Sequence, residues 1–169
     1  KGTLITLEEE SMENALVSGI AFQKDQIKFT LHGVGDTPGT AFKILGPVSD
    51  AEVEVDVIVQ NVSVDDKTDF TFTVASEDKD TVKEVLDKLK DDVSYTELII
   101  DSNIAKVSIV GVGMRSQAGI ASKAFKALSE NGVNIQIICT SEIKITMVIE
   151  KELVDKAVTV LHKEFELEK

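Results

Sequence analysis

The chain has 169 residues, of which 43% are hydrophobic and 28% charged, a composition typical of a globular protein. Its formal net charge of −12 argues against nucleic acids and anionic membrane surfaces as main partners. The sequence shows no apolar run of membrane-spanning length, no signal peptide and a single cysteine, Cys139, so we expect a protein of the reducing cytoplasm.

The first part of the chain carries a full set of strands and helices. A strand-like segment at 15–22 is followed by a polar turn at 24–26, and the next strand begins at Ile27. Apolar residues alternate with polar ones in the strands and recur every three or four residues in the helices. The predicted elements are strand 27–34, helix 38–51, strands 53–60 and 69–75, helix 78–91 and strand 95–101.

The rest of the chain repeats this order. The segment GVGDTPGTAFKIL from Gly33 resembles GVGMRSQAGIASKAF from Gly111, and VEVDVIVQN from Val53 resembles VNIQIICTS from Val133. A repeat of this length indicates a duplicated domain. The predicted elements of the second copy are strand 104–112, helix 116–130, strands 133–140 and 143–149, and helix 151–163.

Both copies follow the βαββαβ order of the ferredoxin-like fold, in which a four-stranded antiparallel sheet carries two helices on one face. The second copy lacks a final strand because few residues follow its last helix, whereas strand 15–22 has no place in the first copy. We therefore predict an α+β protein in which the N-terminal strand completes the second sheet. The predicted domains are 24–102 and a discontinuous domain of 1–23 plus 103–169.

A glycine-rich loop between Gly33 and Phe42 joins a strand to a helix. Pro38 suits the first turn of that helix, and Asp36 is placed to cap its free N–H groups. Such a helix start binds anions, including small carboxylates. A dinucleotide-binding loop is disfavoured, because Pro38 stands where that pattern requires its third glycine. A plain turn with a capped helix remains the alternative.

Residues that carry catalysis are few. The two histidines are His32 on a predicted strand and His162 on a charged helix, and a hydrogen-bonded or solvated role is the simplest interpretation of both. The CxxC, HExxH and GxxxxGK[ST] motifs are absent. We therefore predict no catalytic residue, metal site or cofactor in this chain.

With GVGDTPG, VDVIVQNVS, GVGMRS and VNIQIICTSEIKI in view, the chain resembles the paired ACT domains of aspartokinase, from about Leu4 to Phe165. The resemblance is to the regulatory region or regulatory subunit, because the kinase motif of the family, a lysine-phenylalanine-glycine-glycine run, does not occur in this sequence. It implies two ferredoxin-like ACT domains and feedback inhibition of aspartokinase by threonine or lysine.

The resemblance also implies an amino-acid site at each glycine loop. Asp36 would bind the ammonium or hydroxyl group, the helix amides the carboxylate and Gln60 the polar end, while the backbone of Asn134 and Ile135 would close the pocket. The implied effector-binding residues are Asp36, Thr37, Pro38, Gly39, Thr40, Ala41, Gln60, Asn61, Asn134 and Ile135. The second loop has Met114-Arg115-Ser116 in place of Asp36, and its implied site is Met114, Ser116, Ser141 and Glu142.

The implied partners are a free amino acid, a second copy of the chain and the aspartokinase catalytic domain or subunit. A stand-alone amino-acid sensor of the same fold is the alternative. An enzyme of ferredoxin-like fold is disfavoured because the sequence offers no catalytic constellation.

Overall fold

The computed structural model describes residues 17–61, 66–111 and 117–167. They divide into two compact units. The inserted unit is Lys24–Ala105, and the terminal unit consists of the described residues before Lys24 and after Ala105. Two long strands, β1 (Gly19–Gly35) and β4 (Glu97–Val110), contribute to both units.

The inserted unit is a four-stranded sheet with helices packed against it. After β1 come α1 (Thr40–Asp50), β2 (Val55–Gln60), β3 (Lys67–Ala75), α2 (Lys79–Lys88) and the short α3 (Lys90–Val93), before β4. The strand order is β2-β3-β1-β4, and β3 is antiparallel to both β1 and β2. This is the predicted ferredoxin-like arrangement.

The core of the inserted unit lies between its sheet and its helices. The alternation in β1 and β3 directs one set of apolar side chains inward, where Phe29 and Phe72 stack with their ring centroids 5.5 Å apart. Helices α1 and α2 bury the apolar residues that recur at helical spacing. Fully buried members of this core include Phe29, Leu31, Phe72, Ile44, Val48, Val82 and Leu86.

The terminal unit repeats this arrangement. Beyond β4 it contains α4 (Gln117–Glu130), β5 (Ile135–Thr140), β6 (Lys144–Glu150) and α5 (Val154–Glu164), with strand order β1-β4-β6-β5. The Ser18 N–H donates to the Val110 carbonyl at 2.6 Å just before β1 begins. The N-terminal strand therefore completes the second sheet, as predicted, although residues 15 and 16 of the predicted strand lie outside the described residues.

Two predicted chain breaks are wrong. The polar segment 24–26 lies inside β1, where Gln26 pairs with Ala75 of β3, and the predicted break between the strands 95–101 and 104–112 lies inside β4. Asp101 lies within β4, and its carboxylate forms an ion pair with Lys28 of β1 at 3.1 Å. Neither segment contains the glycine or proline that would force the chain to reverse.

A bulge interrupts β1 shortly before the glycine loop. Leu31 pairs with Phe70 and Val34 with Thr68, so two residues of β1, His32 and Gly33, oppose one residue of β3. Gly33 has φ +68°, in the left-handed region that glycine adopts without strain. A Cβ atom at this position would lie 2.5 Å from the hydroxyl oxygen of Thr96.

The Gly33→Ala variant is therefore expected to destabilise the protein. The left-handed backbone alone costs about 1–2 kcal/mol for an alanine, and the contact with Thr96 adds to this cost. Gly35→Ala is the matched control, because no atom lies within 4 Å of a Cβ there. Urea unfolding should show the larger loss for Gly33→Ala, and equal losses in the two variants would contradict this account of the bulge.

Candidate functional site

The loop after β1 is held by backbone hydrogen bonds. The Asp36 N–H donates to the Asp66 carbonyl at 2.8 Å, which extends the β1–β3 pairing by one residue. The Thr37 N–H and the Thr40 hydroxyl both donate to the Gly35 carbonyl, at 3.1 and 2.8 Å. The loop therefore has a defined conformation that turns the chain directly into α1.

Helix α1 begins with a bare N-terminus. Its N-cap is Gly39, at φ +95°, and no side chain caps the helix. The N–H groups of the first turn lack an acceptor within the helix. The Thr40 N–H donates to the Thr37 carbonyl at 3.1 Å, and Ala41 and Phe42 are the next two residues of this turn. This arrangement of N–H groups and helix dipole suits an anionic group such as a carboxylate.

Two local predictions about this helix are therefore wrong. Pro38 precedes the N-cap and does not lie in the first turn, and Asp36 does not cap the helix. The reason is that Gly39 adopts the left-handed conformation just before the helix. Its carbonyl accepts from the Lys43 N–H at 2.9 Å, the first hydrogen bond of the helix.

Asp36 instead contacts Gln60, the last residue of β2. The Gln60 side-chain amide Nε2 donates to Asp36 Oδ1 at 3.4 Å, and both residues are exposed. The structure thus brings together two of the predicted effector-binding residues, from segments 24 positions apart in sequence. Because Nε2 faces Asp36, the Gln60 carbonyl oxygen is left as an acceptor. The next residue, Asn61, is also exposed and donates its N–H to the Asp69 carbonyl at 3.4 Å.

Asn134 and Ile135 lie in the terminal unit, at the start of β5. Asn134 is exposed and Ile135 half-buried. They line a depression of about 520 Å³ beside α4. Its other lining residues are Phe125, Ser129, Gly132, Val133 and Ile138.

The second predicted site is only partly described. Met114 and Ser116 lie outside the described residues. Ser141 closes the turn between β5 and β6, where its hydroxyl oxygen accepts from the Lys144 N–H at 3.2 Å and its own N–H donates to the Lys144 carbonyl at 2.8 Å. Glu142 is exposed in the same turn.

Sequence reasoning missed Asp69, which lies on β3 opposite the β1 bulge. Its Oδ1 accepts from the Gly33 N–H at 3.1 Å and lies 3.0 Å from His32 Nδ1, which gives His32 the hydrogen-bonded role expected of it. The hydrogen bond from the Gly33 backbone, and secondly that from His32, lowers the pKa of the Asp69 carboxyl. The signal in the sequence is an acidic residue, between Thr68 and Phe70, in a strand whose other residues after Lys67 are all apolar or threonine.

Among the described residues, no cluster of three or more histidine, cysteine, aspartate or glutamate side chains is arranged to hold a metal ion. The helices in the described part of the chain are all too short or too polar to cross a bilayer.

A pH dependence follows from Asp69. Its folded-state pKa lies below that of the unfolded chain, about 3.9, so its ionised form stabilises the fold above that pH. Asp69→Asn should lower the free energy of unfolding near neutral pH, and the difference from the unmodified chain should shrink as the pH falls below about 3.9. Urea unfolding of both proteins at several acidic pH values measures this difference, and a difference that stays constant with pH would contradict the assignment.

Comparison with known families places ACT domains at two segments, residues 31–93 and 107–165. The chain is 58% identical, over 168 residues, to an aspartate kinase of Stutzerimonas stutzeri and 57% identical to an aspartokinase of Pseudomonas aeruginosa. The alignments cover 99% of this chain but 41% of each relative, so the chain spans about two fifths of their length.

Two solved structures match along nearly their whole chains. A chain of the crystal structure of aspartokinase alpha and beta subunits is 45% identical, with a TM-score of 0.83. The ligand-free regulatory subunit of aspartate kinase from Thermus thermophilus is 33% identical, with a TM-score of 0.84. Each match covers 89% of this chain and 99% of the other.

Proposed function

Because the chain belongs to the aspartokinase family, as a regulatory region of two ACT domains, we propose that it binds free threonine and transmits feedback inhibition to an aspartokinase catalytic domain or subunit. In this proposal the chain itself carries no catalytic residue and needs no cofactor. The phosphorylation of aspartate belongs to the full enzyme, in the cytoplasm.

The observation that carries this proposal is the contact between Asp36 and Gln60 beside the bare start of α1. A free amino acid is a zwitterion, and it requires an anionic group and a set of N–H donors a few ångströms apart. The Asp36 carboxylate suits the ammonium group. The N–H groups of Ala41 and Phe42 suit the carboxylate.

Gln60 favours threonine over lysine in this site. Its side-chain amide is neutral, and its carbonyl oxygen is an acceptor suited to a hydroxyl group. A lysine side chain would bring a second ammonium group, which is better matched by a second carboxylate.

Closure of the site involves a second copy of the chain in this proposal. Strand β2 lies at the edge of the inserted unit and β5 at the edge of the terminal unit, and edge strands expose N–H and C=O groups that favour pairing. Each edge also presents a half-exposed isoleucine, Ile58 or Ile138. We propose a homodimer in which the inserted unit of one copy meets the terminal unit of the other, so that Asn134 and Ile135 cover the bound amino acid.

Such a shared site provides the physical requirement for regulation. A ligand shifts an equilibrium only if it binds one arrangement more tightly than the other. Threonine held between two bodies would stabilise one of their arrangements. Coupling free energies of about 1–3 kcal/mol are typical, so an effect of about five- to hundredfold on the kinase is the expected scale.

Asp36→Ala tests the site. Loss of a hydrogen bond to a charged group costs about 1.5–3 kcal/mol, so threonine affinity should fall roughly ten- to hundredfold. Glu84→Ala is a matched control, because it removes one carboxylate from the exposed surface of α2. Titration calorimetry with threonine and lysine, separately and together, measures the affinities. Unchanged threonine binding by Asp36→Ala would show that the site assignment is wrong.

Reconstitution with the catalytic part tests the regulation. Aspartyl-phosphate formation should fall when threonine is added to the assembly with the unmodified chain or with Glu84→Ala. With Gln60→Ala the kinase should keep its rate but lose its response, because the effector loses its polar partner. If threonine and lysine bind the unmodified chain but leave the rate unchanged, the stand-alone sensor replaces the regulatory proposal.

A further inference from the structure

Asp69 contacts both strands that carry the Asp36–Gln60 pair. Strand β3 lies between β1 and β2, and Asp69 is near its start. Its side chain accepts from the Gly33 N–H of β1 at 3.1 Å, and its backbone carbonyl accepts from the Asn61 N–H, directly after β2, at 3.4 Å. One residue thus joins the segment that leads to Asp36 with the segment that ends in Gln60.

The side-chain contact satisfies a group that the β1 bulge leaves out of the ladder. A bulge has an extra residue without a partner on the opposite strand. Here the unpaired Gly33 N–H finds the Asp69 carboxylate, and His32 Nδ1 lies 3.0 Å from the same oxygen atom. The ladder then resumes with Val34 and continues to the hydrogen bond between the Asp36 N–H and the Asp66 carbonyl.

The bulge is also fixed from its other side. The N–H and the hydroxyl group of Thr96 both donate to the His32 carbonyl, each at 2.8 Å. Thr96 would also collide with any Cβ at Gly33. The bulge is therefore held between Asp69 and Thr96, and a bulge redirects the residues that follow it.

From these contacts we propose that Asp69 is a positioning residue: its side chain holds the loop that carries Asp36 in the one geometry, relative to Gln60, that binds the amino acid. This inference rests on the proposed function. Asp69 does not touch the effector in this scheme. Its side chain acts through Gly33 and His32 of the β1 bulge. The Asn61 N–H donates to its backbone carbonyl, which any residue at this position would supply.

The test compares three substitutions in the full chain. Asp69→Ala removes the side-chain acceptor of the Gly33 N–H, and Asp69→Asn keeps a side-chain oxygen that can accept from it. Val82→Ala opens a cavity in the core of the same unit, beneath α2, and serves as the stability control. Threonine affinity is measured by calorimetry, stability by urea unfolding, and amide hydrogen exchange by NMR.

Asp69→Ala is expected to weaken threonine binding about tenfold and to speed amide exchange at residues 33–37. Asp69→Asn should recover most of the affinity. Val82→Ala should lose stability but keep both its affinity for threonine and the slow amide exchange of residues 33–37. The split between affinity and stability distinguishes positioning from a general contribution to the fold.

Threonine affinity in Asp69→Ala equal to that of the unmodified chain would overturn the proposal. The proposal would also be overturned if Val82→Ala, at the same stability as Asp69→Ala, lost as much affinity for threonine. If the unmodified chain binds neither threonine nor lysine, the proposed function fails, and amide exchange then decides the role of Asp69. Unchanged exchange at residues 33–37 in Asp69→Ala overturns that role. Should Asp69→Ala not fold, Asp69→Glu takes its place, because the longer side chain keeps the charge but moves the acceptor.

Discussion

The hydrogen bond between the Gly33 N–H and the Asp69 carboxylate is the contact on which the geometry of the candidate site depends. It stabilises a bulge that would otherwise leave a backbone donor unpaired, and the bulge sets the direction in which β1 enters the glycine loop. From there the chain reaches the bare N-terminus of α1 within a few residues. The backbone carbonyl of Asp69 also accepts from the Asn61 N–H, directly after Gln60, so one residue contacts both segments of the site.

The site thus assigns different tasks to different residues. The glycines allow the backbone conformations, with Gly33 and Gly39 both at positive φ. Asp69 fixes the position of the loop. Asp36, Gln60 and the backbone amides of Ala41 and Phe42 present the chemical groups, and these four residues are exposed to solvent, where a ligand can reach them. An amino acid is recognised in this proposal by its charges and by one neutral amide, and regulation follows if its binding stabilises one arrangement of two ACT domains.

Most of the fold could be predicted from the sequence, because apolar periodicity acts over short windows and the internal repeat shows the same order of elements twice. The N-terminal strand was assigned to the second sheet by counting elements. The chain breaks at 24–26 and before residue 104 were predicted wrongly, because polar residues within a long strand look like a turn when only local pattern is considered. The contact between Asp69 and Gly33 joins residues 36 positions apart, and no local pattern indicates it. The sequence predicts Asp36 as the helix cap, whereas the left-handed backbone of Gly39 makes this residue the N-cap, three positions later.

In the proposed site, threonine binds between Asp36, Gln60 and the start of α1. Titration of isotope-labelled chain with threonine, followed by NMR, would locate the bound amino acid. We expect saturable shifts of the Ala41 and Phe42 backbone amides and of the Gln60 side-chain amide, all with one dissociation constant. Saturable shifts confined to other residues, such as the turn at Ser141 and Glu142, would contradict this site assignment.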